Sequence, residues 1–139
     1  MQAMEISRTG LDVEWRRLEV IAQNLANANS TQGVDGKPYQ AMRLVSGPKA
    51  DFGNYLSASS GPLGVAVYGV EPEGLPARSI YEPGNPNADA KGFVSYPGID
   101  HAAEMTMMVK TERVYEANIV AMNAARQMYL KALELGKRS

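Results

Sequence analysis

The 139-residue sequence contains no cysteine, which excludes disulfide bonds and thiolate metal sites. Its net charge is also close to zero, because 14 Lys and Arg against 15 Asp and Glu leave −1 at pH 7. Nucleic-acid binding usually requires a basic excess, so no nucleic-acid partner is expected. The first thirty residues have no long uncharged run, since charges recur between Glu5 and Glu19. We therefore expect neither a cleaved signal peptide nor a membrane span there, and one folding unit overall.

The N-terminal segment has the spacing of an amphipathic helix. Its main apolar residues recur every seven positions: Met4, Leu11, Leu18 and Leu25. This repeat predicts a helix over residues 4–28, with Trp15 widening its apolar stripe. The helix is expected to fray at the asparagines that follow, whose short side chains compete for backbone hydrogen bonds.

A second helical pattern occupies the C-terminal end. Its seven-residue repeat consists of Met108, Tyr115, Met122 and Tyr129. The pattern predicts a helix over residues 100–135, in which Asp100 is the N-cap and Gly136 the C-terminal stop. Ile119 and Leu133 extend its apolar side.

Between the two helices, residues 31–99 are rich in glycine and proline and show no helical period. Four short runs have strand-like composition: residues 41–45, 64–70, 78–81 and 92–96. Part of residues 48–62 is expected to be loop. The predicted fold is therefore mainly α, with a small irregular β and loop connector.

Two long amphipathic end helices can cover their stripes by forming an antiparallel coiled coil. The stripes are wider than one such pair needs. The additional apolar positions are Ile6, Val13 and Val20 on the first helix and Val114, Ala121, Met128 and Leu135 on the second. They predict contact with other chains. An ordinary helical bundle remains the alternative, because heptad rows also line bundle interiors.

Three passages resemble a known family. Residues 21–30, IAQNLANANS, resemble the Asn-Leu-Ala-Asn signature of the flagellar axial proteins, which include rod and hook subunits. Residues 81–94, YEPGNPNADAKGFV, resemble more particularly the proximal rod members of that family. Residues 115–118 and 133–136 match the C-terminal helix of those members in order and spacing. The resemblance spans nearly the whole chain and is interrupted at residues 46–76.

This resemblance implies an inner layer of the rod built from terminal coiled coils, unfolded export through the flagellar type III apparatus, and polymerisation above the membrane ring. The implied location is the periplasmic rod of the flagellar basal body. The implied partners are other copies of the chain, other rod proteins and the adjoining ring and export-gate components. Neither a cofactor nor a small-molecule substrate is implied.

Within this reading, a set of residues is predicted to form the assembly interface. Its members are Leu11, Leu18, Asn24, Leu25, Asn27, Tyr81, Pro83, Asn85, Pro86, Met108, Tyr115, Asn118, Ile119, Met122, Tyr129 and Leu133. Asn24 and Asn27 lie one turn apart and can bind the backbone of this chain or a neighbour, or end the helix. Residues 82–92 are predicted to be an extended strap, with an ordinary surface turn as the alternative.

The sequence offers little for catalysis. His101 is the single histidine, and no Gly-x-Ser-x-Gly nucleophile motif is present. A carboxylate pair drawn from Glu71, Glu73, Glu82 and Asp89 would suit glycoside cleavage, which keeps a flagellum-associated peptidoglycan hydrolase as an alternative. We expect no catalytic residue and no metal site.

The resulting hypothesis divides one structural unit into an N-terminal assembly helix (residues 1–30), a connector (31–99) and a C-terminal assembly helix (100–139). The chain is expected to be a structural rod subunit that polymerises into a helical tube, transmits torque and encloses the export channel. Besides the hydrolase, the alternatives are another axial subunit and a monomeric helical adaptor.

Overall fold

The computed structural model describes residues 2–49 and 64–137. Along the sequence, helix α1 (Gln2–Ala26) precedes the strands of the connector and helix α2 (His101–Gly136) follows them. These strands are β1 (Met42–Pro48), β2 (Val65–Pro72), β3 (Arg78–Tyr81) and β4 (Phe93–Tyr96). The helices contain half of the described residues, which confirms the predicted two terminal helices joined by a connector with short strands. The loop predicted within residues 48–62 lies, beyond residue 49, outside the described ranges.

Helix α1 ends two residues earlier than predicted, and Asn27 explains why. Its Nδ2 donates to the backbone oxygen of Gln23 at 2.9 Å. The next backbone bond, from the nitrogen of Ala28 to the oxygen of Leu25, spans only three residues. This shorter bond tightens the last turn of the helix, and the chain then leaves the helix and enters the connector.

Helix α2 begins where the sequence predicts. Asp100 has an extended backbone, and its side chain accepts hydrogen bonds from the nitrogens of Ala102 and Ala103. At the other end the helix includes Gly136, and the nitrogen of Lys137 donates to the oxygen of Leu133 at 3.2 Å. The helix thus ends one residue later than predicted: Gly136 stays helical and Lys137 is the cap.

The strands form two antiparallel pairs. β1 pairs with β2 from Met42 opposite Pro72 to Pro48 opposite Val65, with an irregularity between Val45 and Ser46. β3 pairs with β4 without a shift. Both members of the first pair extend two or three residues further than the sequence predicted, because their pairing with each other continues past the apolar run.

The β1–β2 pair packs against α1. Val13 and Val20 are 4% and 3% exposed and form one cluster with Leu44 of β1. These two valines were predicted to remain open for other chains, and that prediction is wrong, because the connector covers them. A second cluster joins Ala28 at the end of α1 to Ile99 just before α2. The core therefore lies between α1 and the connector.

Helix α2 has a different environment. Of the described elements it packs against α1 alone. Much of its circumference consequently faces outward, including several Met, Val and Leu side chains. No helix in the described ranges combines the length and the apolarity needed to cross a bilayer.

Candidate assembly surface

The two helices pack antiparallel, in a register that three contacts define. These contacts join Gly10 to Asn118, Trp15 to Tyr115, and Asn24 to Glu104. The residue numbers of each pair sum to 128 or 130, which is the signature of antiparallel packing with a constant offset. A methyl group added at Gly10 would lie only 2.9 Å from Oδ1 of Asn118, so the helices approach closely there. The ring centroids of Trp15 and Tyr115 are 6.3 Å apart.

We call the contact zone between the helices the α1–α2 seam. On α2 its members are the side chains that are at least partly covered, and they alternate at four and three residues: Glu104, Met108, Thr111, Tyr115, Asn118, Met122 and Ala125. Ile119 is also partly covered, as are Leu11, Leu18 and Leu25 on α1. The sequence-predicted helix residues up to Met122 therefore lie at or beside the seam, where they contribute to packing within the chain.

Beyond Ala125 the seam has no α1 partner. Gln2, the first described residue of α1, falls opposite residues 126–128, so α2 continues for about ten residues, roughly 15 Å, past its partner. Every residue from 126 to 137 is exposed. Tyr129 and Leu133, both predicted interface residues, lie in this overhang (residues 127–136) with 40% and 46% exposure.

A second apolar line runs along α2 beside the seam, and we call it the outer row. Its five members recur every seven residues: Met107, Val114, Ala121, Met128 and Leu135. Met128 and Leu135 are 65% and 70% exposed. Met107 and Val114 are 45% and 41% exposed, so the single chain leaves this row open to a degree that increases toward the C-terminal end of the helix.

The predicted interface asparagines act within the chain. Asn24 is 2% exposed; its Nδ2 donates to the backbone oxygen of Met42 and to Oε2 of Glu104, and its Oδ1 accepts from the nitrogen of Met42 and from the hydroxyl of Tyr39. It thus ties α1, the connector and α2 together. Asn27 bonds the end of its own helix, which is the more ordinary of the two roles that its sequence position suggested.

Glu104 is absent from the predicted interface set, although a carboxylate at a seam position is unusual. Burial raises the pKa of Glu104, the hydrogen bond from Asn24 opposes that shift, and the charge of Glu73 adds to it. The carboxylate borders a small cavity of about 190 Å³ that Arg17 and Arg43 also line. Burial and the nearby Glu104 carboxylate likewise raise the pKa of Tyr39.

Residues 82–92 are not an extended strap, contrary to the favoured prediction. Successive backbone bonds fold them into turns, for example from the nitrogen of Asn85 to the oxygen of Glu82 and from the nitrogen of Gly92 to the oxygen of Asp89. The Asn85 side chain also bonds Glu82, at 2.8 Å. The turn closes the β3–β4 hairpin, and its two prolines, Pro83 and Pro86, are exposed. Tyr81 is exposed as well and packs edge-to-face on Phe93.

Three of the four carboxylates proposed for glycoside cleavage have structural contacts. Glu71 forms an ion pair with Arg43 at 3.7 Å, and Asp89 accepts from the backbone nitrogens of its own turn. Glu82 accepts from the hydroxyl of Tyr96 at 3.0 Å, a bond that raises the pKa of Tyr96. In the parts of the chain that the structure describes, no cluster of His, Asp and Glu has the grouping of a metal site.

Two family models match the ends of the chain. The model described as Flagella basal body rod protein matches residues 4–33, which contain nearly all of α1. The model described as Flagellar basal body rod FlgEFG protein C-terminal matches residues 90–135, which contain β4 and almost all of α2. Both matches therefore fall on the segments that form the seam.

A flagellar basal-body rod protein FlgC from Escherichia coli O6:H1 is 40% identical over 137 residues, covering 99% of this chain and 98% of the relative. The chain belongs to the FlgC family of flagellar basal-body rod proteins. FlgC relatives from Bacillus subtilis and Borreliella burgdorferi are 33% and 30% identical and also align over nearly their whole lengths. FlgC-family proteins are structural parts of the basal body and not enzymes, so the predicted family and the predicted non-enzymatic role are confirmed.

Proposed function

We propose that this FlgC-family chain polymerises through its terminal helices into the proximal part of the rod. The observation that carries the proposal is the outer row of α2, an apolar line more than 40 Å long at 1.5 Å per residue that the chain itself leaves open. Contiguous apolar surface of this kind marks contact with other protein. Neighbouring copies, each with the same row, are the proposed partners.

The energetics favour such an assembly. Full burial of a Val, Leu or Met side chain stabilises by about 1.5–3 kcal/mol. The outer row offers four such side chains, and the overhang adds Tyr129, Leu130 and Leu133. Because these side chains are between 40% and 70% exposed in the single chain, only part of that gain remains to be made, about 5–10 kcal/mol in total. This is of the same order as the roughly 4–15 kcal/mol that association costs in lost motion.

The helix pair itself is proposed to be an antiparallel coiled coil. The alternation of four and three residues along the α2 side of the seam is the heptad spacing of left-handed supercoils. Such a pair resists bending and shear because each side chain is held by several neighbours. Stacked around an axis, these pairs would form a tube that transmits torque and leaves a lumen for export.

We propose that the chain leaves the cell unfolded through the flagellar type III apparatus and assembles in the periplasm. Its partners would be other copies, other rod proteins and the adjoining membrane-ring and export-gate components. The exposed β3–β4 turn, with Tyr81, Pro83 and Pro86, is positioned to contact a neighbour beside the helices.

Sedimentation velocity on the full chain at increasing concentration tests the proposal. Wild type should form species that grow with concentration and appear as rods or short filaments in negative-stain micrographs. A Val114→Glu, Met128→Glu variant should stay monomeric, because two carboxylates would have to be buried in the outer row. Asn123→Glu, on the opposite side of α2, is the matched control and should assemble like wild type. Unchanged assembly of the double variant, or a monomeric wild type at all concentrations, would contradict the proposal.

A further inference from the structure

The only tryptophan of the chain lies at the outside of the helix pair. Trp15 is 57% exposed, although the sequence pattern assigned it to the apolar stripe of α1. The centroid of its indole lies 6.3 Å from that of the Tyr115 ring, with the two planes tilted by 49°. A tryptophan side chain has only two χ angles to order on binding, and tryptophan is among the residues enriched in binding hot spots.

Acidic side chains flank this indole. Asp12 lies one turn before it and Glu19 one turn after it on the same helix. Glu19 already binds Arg16 at 2.6 Å. Asp12 makes no ion pair or side-chain hydrogen bond with any residue in the described ranges. In the described part of the chain, Asp12 therefore carries an unpaired negative charge one turn from the exposed indole.

A groove on α2 has the complementary character. Met105, Thr106 and Val109 form its apolar floor, and Lys110 and Arg113 form its rim. All five residues lie on one exposed side of α2, so the groove is a shallow, open depression against which one face of an indole can lie. Neither cation of the rim makes an ion pair within the described part of the chain.

We propose that Trp15 of one copy docks in the Met105–Val109 groove of a second copy, with Asp12 of the first copy paired to Lys110 or Arg113 of the second. This inference rests on the proposed function and specifies a contact outside the outer row. The apolar floor buries the indole, the rim cations approach its π-face, and the unpaired charges neutralise each other. Because the indole and the groove are both present on every copy, one chain can donate and accept at the same time.

The intrinsic fluorescence of Trp15 reports this contact directly, since no other tryptophan contributes. As the concentration of the full chain rises, its emission maximum should move to shorter wavelength, with light scattering recorded on the same samples. Lys110→Glu, Arg113→Glu should raise the concentration at the midpoint of this shift roughly tenfold or more. Lys37→Glu, an exposed lysine of the connector that does not line the groove, is the control and should behave like wild type.

A charge exchange excludes a merely structural effect. Asp12→Lys alone should weaken the shift, and an equal mixture of Asp12→Lys with the Lys110→Glu, Arg113→Glu variant should restore it, because the exchanged charges again attract. If wild type associates by scattering while the emission of Trp15 stays unchanged, this docking mode is wrong and assembly through the outer row stands. If the mixture fails to recover the shift, the pairing of Asp12 with the groove is wrong.

Discussion

The side-chain amide of Asn24 pairs with both backbone groups of Met42: Nδ2 donates to its oxygen at 2.8 Å, and Oδ1 accepts from its nitrogen at 2.9 Å. The pairing imitates the way a neighbouring strand would bind β1. A helix residue thereby anchors the first strand of the connector at its starting point. Since Asn24 is buried, water cannot replace it.

Asn24→Ala should lower the free energy of unfolding by about 3 kcal/mol, because it leaves both groups of Met42 and the hydroxyl of Tyr39 without a partner. Urea denaturation measures the change. Asn27→Ala is the matched control: that amide is only partly covered and bonds the end of its own helix, so its loss should cost about 1 kcal/mol or less. Equal losses in the two variants would show that the anchor at Met42 contributes nothing special.

The close approach of Gly10 to Asn118 predicts an energetic coupling between the helices. Gly10→Ala gains about 1 kcal/mol of helix propensity, but in wild type the new methyl group displaces the Asn118 amide and loses part of that gain. In an Asn118→Ala background the full gain should appear. A double-mutant cycle on thermal unfolding measures the difference, which should be roughly 0.5–1 kcal/mol. Additive effects would mean that the helices do not meet at this point in solution.

The buried position of Glu104 predicts a pH dependence. Its folded-state pKa lies above the usual value of 4.5, so the folded chain holds the proton more tightly than the unfolded chain does. Stability should therefore fall as pH rises from about 4.5 through the raised value, since the unfolded state binds fewer protons in that window. Urea denaturation of wild type and Glu104→Gln across about pH 4 to pH 8 isolates this contribution.

The glutamine variant keeps an oxygen that can accept from Asn24 but carries no charge, so it should lack this decline and be at least as stable as wild type near neutral pH. Glu112→Gln, exposed on the same helix, controls for the general loss of a carboxylate. Identical pH profiles for wild type and Glu104→Gln would remove Glu104 from the account.

The sequence was sufficient for the helices and insufficient for the connector. Heptad spacing located α1 and α2 because side chains seven apart lie on one side of a helix, and Asp100 marked the start of α2. The same spacing could not say which apolar side faces which partner. Val13 and Val20 are covered by a strand that begins more than twenty residues later. The local periodicity of α1 contains no information about a contact so distant in sequence.

The prediction of an extended strap at residues 82–92 was wrong for a related reason. Proline and glycine fit both an extended path and a compact turn, and the choice is made by the bonds that Glu82, Asn85 and Asp89 form with their own backbone neighbours. Trp15 was placed in the apolar stripe because its spacing is nearly right. It lies at the edge of the seam, where a small angular offset decides between burial and exposure.

Helix α2 carries apolar surface that we propose only other copies cover. Amide hydrogen exchange tests this proposal most directly. In the dilute chain, the overhang at residues 127–136 should exchange fast, whereas residues 104–125 in the seam should be slower because α1 packs on them. In the assembled chain, protection should extend through the overhang. An overhang already protected at high dilution, or one that stays unprotected after assembly, would contradict the account.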